Sequence, residues 1–345
     1  MSKWEKRPWK EVLEIINGKS QKNVIDDNGS YPIYGSGGIM GYANKYICAE
    51  NTVIIGRKGN INKPIFVEEK FWNVDTAFGI KVKEEFLLPK YLYYFCVNFN
   101  FEKLNTTVTI PSLTKANLLK INIPLPPFEV QKKIAQTLDA ASELIQLHKK
   151  HLAELDNLIK ATFYDMFGDP MLNEQGWEVK ALGMFSCLKS GKYIAAAQIH
   201  NFNHRYKYPC FGGNGLRGYV EKHSHVGTYS LIGRQGALCG NVQFAQGEFY
   251  ATEHAIVVSP RVAINPKYLF HILKKLNLNR LASGAAQPGL TVSKLKEVNI
   301  PLPPLSLQNK FAAIVTKIEE QKALVQKAID ESQYLFDSLM SQYFE

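Results

Sequence analysis

The 345-residue sequence lacks several features that mark common classes of protein. No run of 18 or more apolar residues is present, which excludes a membrane-crossing helix. The five cysteines are odd in number and form no C-x-x-C pair, which favours free thiols over a disulfide framework. The first residues, MSKWEKR, include no apolar stretch of the signal-peptide type. Together these absences predict a protein of the cytoplasm.

Motifs of catalysis and of metal or cofactor binding are also missing. Residues 213–218, GNGLRG, match a dinucleotide-binding fingerprint by letter, but no apolar helical pattern follows them. His200 and His204, and likewise His223 and His225, have a spacing that metal ligands use, yet no cysteine pair accompanies them. Surface histidines are the simpler interpretation. The sequence predicts no catalytic centre, no metal site and no cofactor in this chain.

What the sequence does have is an internal repeat with an offset of 177 residues. Several motifs that return in one order at one offset indicate a duplicated unit rather than a solenoid of short repeats. The repeated segments are YPIYGSGGIMGY returning as YPCFGGNGLRGY, IGRKG as IGRQG, and NIPLPP unchanged, starting at residues 31 and 208, 55 and 232, and 122 and 299.

Each repeat begins with a lobe of mixed secondary structure. Short β-like runs, such as 52–55 and 255–258, alternate with turns rich in glycine, asparagine and proline. Helices are expected near 89–97 and 266–275. The fold class predicted is therefore α+β, with two similar α/β lobes.

A long helix is expected after each Pro-Pro pair, where the pattern becomes helical. A strict alternation of four- and three-residue steps, the a/d seam of a coiled coil, runs through both helices. The helix over 134–166 spans roughly 50 Å at about 1.5 Å per residue. An amphipathic helix packed on its own lobe is the alternative, but two matching seams favour an antiparallel pair with a rough two-fold axis, holding the lobes at opposite ends. The seam positions are Ile134, Leu138, Ala141, Ile145, His148, Leu152, Leu155, Ile159, Thr162 and Met166, and the residues 177 positions later.

The positive charge lies in the lobes. The chain has 41 basic and 31 acidic residues, a net charge of +10. We divide it into a first lobe (1–127), a first helix (128–170), a second lobe (171–304) and a second helix (305–345), with net charges of +5, −2, +9 and −2. Two basic lobes on a slightly acidic spacer are typical of nucleic-acid binding.

Candidate DNA contacts lie in the repeated glycine-bearing loops, which contain Arg57 and Lys58 in the first lobe and Arg234 and Gln235 in the second. Such a loop can offer backbone N–H groups to phosphates, while arginine suits guanine and glutamine suits adenine. A plain hairpin turn with a solvated arginine is the alternative, and the recurrence favours DNA contact. The other candidates are Tyr34, Asn60, Thr76, Ser112, Thr114, Asn214, Arg217, His254, Gln287 and Thr291.

With these motifs the chain resembles the specificity subunit of type I restriction–modification systems. The resemblance is carried by IPLPP followed by Gln131-x-x-Ile134-Ala135 and again by Gln308-x-x-Phe311-Ala312, by the Tyr-Pro-x-aromatic-Gly segments and by the Ile-Gly-Arg-x-Gly loops. It covers essentially the whole chain.

The resemblance implies two target-recognition domains that each read half of an interrupted double-stranded DNA site, separated by the antiparallel helices. It also implies docking of two methyltransferase subunits, forming an adenine-N6 modification enzyme, and of two translocating restriction subunits. S-adenosylmethionine, ATP and Mg²⁺ would belong to those partners, and this chain itself would not be catalytic.

Two other functions remain open at this point. An enzyme with its own nuclease or methyltransferase site would need the catalytic motifs that are missing. A scaffold that binds protein through its lobes would not need their positive charge, and its binding to DNA would be absent or insensitive to salt.

Overall fold

The protein is described from a computed structural model, in which residues 4–105, 107, 110–236, 238–284 and 288–344 are described. The chain divides by its contacts into unit 1, Met1–Lys150 with Gln326–Glu345, and unit 2, His151–Val325. None of the helices in the described residues combines the length and hydrophobicity that a bilayer crossing requires. The division into lobes and helices at 127, 170 and 304 stays a prediction.

Unit 1 contains the first lobe and the start of the first long helix. Pro89 opens the lobe's main helix at a first-turn position, where the missing proline N–H costs nothing. A 3₁₀ turn covers Phe101–Leu104. The elements are β1 (Lys6–Pro8), α1 (Trp9–Val12), β2 (Leu13–Asn17), β3 (Tyr31–Gly35), β4 (Gly38–Ala43), β5 (Thr52–Gly56), β6 (Ile65–Val67), β7 (Trp72–Asn73), β8 (Ala77–Val82), α2 (Pro89–Asn98), α3 (Lys115–Leu118), β9 (Asn122–Pro124) and α4 (Phe128–Phe167).

Three sheets form in unit 1. Their strand orders are β2-β8-β5-β6, β4-β3-β7 and β1-β9; among the described strands of this unit, β3 and β7 pair in parallel and the other pairs are antiparallel. All five residues of β5, TVIIG, are buried, as expected for a central strand with apolar neighbours on both faces. Trp9, Tyr91 and Phe101 are fully buried in the main core between sheet and helices.

Unit 2 repeats this plan, with 3₁₀ turns at Ala196–Gln198 and Leu278–Leu281. Its strands form a six-stranded sheet, β11-β16-β14-β15-β12-β13, and a pair, β10-β17. The elements are β10 (Val179–Ala181), α5 (Leu182–Phe185), β11 (Ser186–Ser190), β12 (Tyr208–Gly212), β13 (Gly215–Val220), β14 (His225–Gly233), β15 (Val242–Ala251), β16 (Ala255–Pro260), α6 (Pro266–Lys275), α7 (Val292–Lys296), β17 (Asn299–Pro301) and α8 (Leu305–Phe344).

The strands and helices expected from the sequence are confirmed in both lobes. The runs at 52–55 and 255–258 lie in β5 and β16, and the helices near 89–97 and 266–275 are α2 and α6. Residues 213–218 lie in the β12–β13 hairpin, where Gly212 pairs with Gly215, so a strand follows the glycines and not a nucleotide-binding helix.

The two long helices start 177 residues apart, at Phe128 and Leu305, and each has 40 residues. All the predicted seam positions in both helices are buried or half-buried, which confirms the coiled-coil pattern. In unit 1, Leu138 near the start of α4 shares a core with Met340 near the end of α8. In unit 2, Phe163 near the end of α4 meets Phe311 near the start of α8, with ring centroids 5.6 Å apart. The helices are therefore antiparallel.

Each helix also packs on the lobe that precedes it. The alternative expected from the sequence, an amphipathic helix packed on its own lobe, therefore holds together with the pairing of the helices. Ile134 and Leu138 belong to the core of the first lobe, and Val315 and Ile318 to that of the second.

A buried glutamine explains the motif that follows each Pro-Pro. Gln131 is 1% exposed; its Oε1 accepts from Leu88 N at 2.9 Å, and its Nε2 donates to the carbonyls of Phe86 and Pro126, both at 3.0 Å. Gln308 is 3% exposed; its Oε1 accepts from Asn265 N and its Nε2 donates to Pro303 O.

Both glutamines satisfy backbone groups that burial would otherwise leave without partners. Each ties the start of a long helix to the start of α2 or α6. The glutamine motif is thus a structural element and not a binding site.

Candidate nucleic-acid interface

The glycine-bearing loop of the first lobe is held by two other segments. Arg57, directly after β5, donates its N–H to Thr76 O at 2.8 Å, and its carbonyl accepts from Leu113 N at 2.9 Å. Gly59 N donates to Pro111 O at 3.0 Å. We call residues 57–60, 76 and 111–114 loop cluster 1.

The second lobe builds the same frame. Arg234 N donates to His254 O, Arg234 O accepts from Leu290 N, both at 2.8 Å, and Gly236 N donates to Pro288 O at 3.0 Å. We call residues 234–236, 254 and 288–291 loop cluster 2; the neighbouring residues 237 and 285–287 lie outside the described residues. The structure thus brings together most of the predicted site residues, in two separate clusters.

These bonds correct one expectation from the sequence. The N–H groups of Arg57, Lys58 and Gly59 all donate to carbonyls of the same lobe, as do those of Arg234 and Gly236. These five amides hold the loops and are not available to phosphates, so the expectation fails for them. The other contacts with DNA stay predictions.

The loops leave space in front of them. Gly59 and Gly236 have φ angles of +79° and +89°, and apart from the adjacent residues no described atom lies within 4 Å of the position that a Cβ would take. Arg57 and Arg234 are exposed. The Arg57 guanidinium carbon lies 5.8 Å from the centre of the Phe78 ring, within the range of a cation–π contact.

In the second loop cluster, side chains restrain one another. Arg234 Nη1 donates to Ser190 Oγ at 3.3 Å. Gln235 Oε1 lies 3.0 Å from His254 Nδ1, and His254 Nε2 lies 3.1 Å from Glu253 Oε1. With its oxygen at His254, Gln235 has only its amide nitrogen free for a base, so the two-bond pairing with adenine would require His254 to move.

Two threonines of the clusters cap short helices. Thr114 Oγ1 accepts from Asn117 N at 3.2 Å at the start of α3, and Thr291 Oγ1 accepts from Lys294 N at 3.4 Å at the start of α7. Ser112 pairs with Lys58 across an isolated β-bridge. These residues have a structural role in the frame, and their predicted contact with DNA stays a prediction.

The remaining candidates lie beside the clusters. The β12–β13 turn adjoins cluster 2, since a Cβ on Gly213 would lie 2.9 Å from His254 O. Asn214, in that turn, accepts from Asn241 Nδ2 at 3.4 Å. Arg217 is exposed, and its Cδ would lie 2.6 Å from a Cβ on Gly212. Gln287 lies outside the described residues.

In the first lobe, Asn60 is exposed next to Gly56, within 4 Å of the position of a Cβ on Gly37. The Tyr34 ring packs edge-on against Phe71, with centroids 5.4 Å apart, so it is a core contact. Burial raises the pKa of its phenol, with a further contribution from Glu69.

Sequence reasoning missed the residues that hold the clusters, such as Ser190, Asn241 and Asn105, whose Oδ1 accepts from Ser112 N at 3.0 Å. They carry no motif. Within the described residues, no three histidine, cysteine or acidic side chains are grouped as a metal site would need. His200 stacks on Tyr206 with ring centres 3.9 Å apart, and His225 stacks on Phe249.

The chain matches the family model described as "Type I restriction modification DNA specificity domain" twice, at residues 1–157 and 174–332. It is 41% identical to the type I restriction enzyme EcoprrI specificity subunit of Escherichia coli, over 90% of this chain and 86% of that one. It is 26% identical to a putative type I specificity subunit of Haemophilus influenzae, over 92% and 88% of the two chains.

Solved structures share the fold. The S subunit of a type I restriction–modification system from M. genitalium superimposes with a TM-score of 0.72 at 20% identity, covering 99% of this chain and 96% of that one. A chain from a structure described as showing complex assembly and conformational transition of the type I R-M system superimposes with a TM-score of 0.58 at 17% identity, covering 99% and 97%.

Proposed function

The chain belongs to the family of type I restriction–modification DNA specificity subunits, and we propose that loop clusters 1 and 2 each read one half of an interrupted DNA site. The proposal rests on one observation: the two loop clusters have the same backbone frame but different side chains. Arg57-Lys58 in the first lobe stands where Arg234-Gln235 stands in the second. A common frame presents each set to DNA in the same way, and the different side chains select different bases.

Arginine is the side chain best suited to this task, because its guanidinium binds O6 and N7 of guanine together. Both clusters have one exposed arginine at the same position. Lys58 and Arg217, which are exposed nearby, suit phosphate contacts that position the lobe without reading sequence.

The paired helices would set the number of base pairs between the half-sites. This is supported by their equal length of 40 residues and their matched seams. Insertion of one heptad into both helices should shift the preferred spacer to a longer one. Modification of the original site with its original spacer would contradict this role.

The catalytic steps would reside in partner subunits. Two methyltransferase subunits would transfer methyl groups from S-adenosylmethionine to adenine N6, and two restriction subunits would use ATP and Mg²⁺. The description of a structural neighbour as part of a type I complex assembly supports this arrangement. Methylation by the purified chain alone would contradict it.

The test is to map methylated adenines in cells that carry the complex with Arg57→Ala or Arg234→Ala. Each substitution should relax or abolish recognition of one half-site and leave the other unchanged, at a cost of about 1–3 kcal/mol in discrimination. Arg261→Ala is the matched control, since Arg261 is exposed and directly follows β16, at the opposite end of that strand from His254 of cluster 2.

An unchanged methylation pattern in both variants would remove these arginines from the interface. DNA binding by the assembled complex that is absent or insensitive to salt would favour the protein-binding scaffold instead.

A further inference from the structure

Unit 2 contains a groove that the proposed reading of bases does not use. It lies where α4, the start of β15 and α6 meet, and encloses about 680 Å³. Gln243 and Phe244 contribute from β15, His271 from α6, and Asp156 and Tyr164 from α4. The groove lies wholly within unit 2.

Lysines dominate its lining. Lys322 is paired with Asp156, and Glu319 is occupied by Lys267, at 2.5 Å. That leaves Lys160, Lys274 and Lys275, for which the described residues provide no carboxylate within 4 Å. We call the cavity with these three lysines the basic groove.

The crowding of positive charge is costly in the free protein. Lys275 Nζ lies over the rings of Phe163 and Tyr164, 5.0 and 4.2 Å from their centres. Burial is the main cause that lowers the pKa of Lys275 to about 8; the neighbouring Lys160 and Lys274 lower it further, and Asp169 partly opposes them. An anion in the groove would relieve this repulsion and favour the charged ammonium.

The equivalent cavity in unit 1 has the opposite charge. It encloses about 750 Å³ and is lined by Glu68, Glu69, Asp139 and Glu143, with Lys90 as its only lysine among the described lining residues. The fold therefore does not require a basic groove here. Two identical partner copies docked on the repeats could not use both cavities in the same way.

The basic groove adjoins loop cluster 2. Gln243, on its edge, lies 3.4 Å from the position of a Cβ on Gly215, in the β12–β13 turn. The same turn contacts His254 O through Gly213. A polyanion bound at the cluster could therefore continue into the groove, which points to DNA rather than to an acidic protein segment.

We propose that the basic groove holds backbone phosphates of the DNA next to the half-site read by the second lobe, and that unit 1 has no equivalent contact. The protein's footprint on DNA is thus longer beside the second half-site than beside the first. This inference rests on the proposed function.

The test uses the complex assembled with its partner subunits and a duplex that carries the site found by methylation mapping. Lys160, Lys274 and Lys275 are replaced together by glutamine, and binding is measured between 50 and 200 mM salt. The slope of log K against log salt should become shallower by about 0.9 for each lost phosphate, roughly 2–3 in all, with the preferred sequence unchanged. The charge-matched control replaces Lys132, Lys133 and Lys149, three exposed lysines of α4 in unit 1.

A slope equal to that of the wild type would overturn the groove proposal while leaving the proposed function intact. Failure of the wild-type complex to prefer its mapped site over random DNA would instead refute the proposed function. If the triple variant no longer co-purifies with the partners but has a wild-type melting temperature, the groove holds an acidic segment of a partner, which also overturns the proposal.

Discussion

The two lobes share a backbone frame down to individual hydrogen bonds, but they differ in the continuity of one strand. The long β15 of the second lobe joins six strands into one sheet, whereas the first lobe has β6 and β7 with a break between them. Ala245, fully buried in β15, corresponds to Glu68 in the first lobe. The Glu68 side chain is 74% exposed and lies 3.7 Å from Lys90 Nζ, outside the sheet, where burial of an unpaired carboxylate is avoided.

This difference shows which parts of a duplicated unit are free to diverge. The backbone bonds of Arg57 and Gly59 recur at Arg234 and Gly236, and a buried glutamine holds each helix start. The side chains in front of the clusters and the charges of the cavities differ, as expected if the lobes face unlike stretches of DNA.

The hydrogen bonds that both repeats share can be tested at the buried glutamines, where we expect the largest loss in the free energy of unfolding. Gln131→Leu would leave one buried and two part-buried backbone groups without partners, and Gln308→Leu one of each. At about 1–3 kcal/mol per group, we expect losses of roughly 3–9 and 2–6 kcal/mol. Urea unfolding measures both, and Gln136→Leu, on the exposed face of α4, is the control. Equal stability of all three variants would show that the glutamines do not stabilise the contact between each long helix and α2 or α6.

A second test concerns His271, which stands where the first repeat has Tyr94. Burial lowers the pKa of His271 to about 3, and four nearby lysines add to this. In the unfolded chain its pKa is 6.5, so the unfolded state binds an extra proton below that pH. The folded state should therefore lose about 2 kcal/mol between pH 7 and pH 5 through this group alone.

His271→Phe should remove that part of the pH dependence, measured as the difference in unfolding free energy between the two pH values. His151→Phe, at an exposed position of α4, should not. Lys275 adds nothing in this window, because its pKa of about 8 keeps it charged in both states. Parallel pH curves for wild type and His271→Phe would contradict the assignment.

The smallest change in stability is expected for a substitution in the a/d seam of the second long helix. Lys322 occupies the position that Ile145 has in the first helix, and its partner Asp156 has a side chain 60% exposed. Exposed ion pairs contribute about 0–1 kcal/mol, so Lys322→Ile should change stability by less than about 1 kcal/mol. A calorimetric melt checks this, and a much larger loss would show that the ion pair stabilises the helix pair.

The sequence predicted the fold well where one period repeats over many residues. The seam from Ile134 to Met166 is detectable because every third or fourth side chain must be buried. The mixed lobes followed from short apolar runs between turns, and the resemblance to specificity subunits rested on doubled motifs.

The site was predicted only in part. The conserved offset placed Arg57 and Arg234 in equivalent loops, but hydrogen bonds between residues far apart in sequence decide which amides are free. For the same reason Ser190 beside Arg234 could not be identified. The basic groove was not predicted, because Lys160 and the pair Lys274-Lys275 lie on different helices that only the fold brings together.

The division of the helices between the units has a consequence for synthesis on the ribosome. Unit 2 is continuous, His151–Val325, whereas unit 1 needs residues 326–344 to cover Leu138 with Met340. Those residues emerge roughly 175 positions after Lys150, a delay of about 10–35 s at ~5–20 residues per second. The part of the protein made first is therefore completed last. Until the final turns of α8 are synthesised, the nascent chain carries an uncovered apolar stripe on α4.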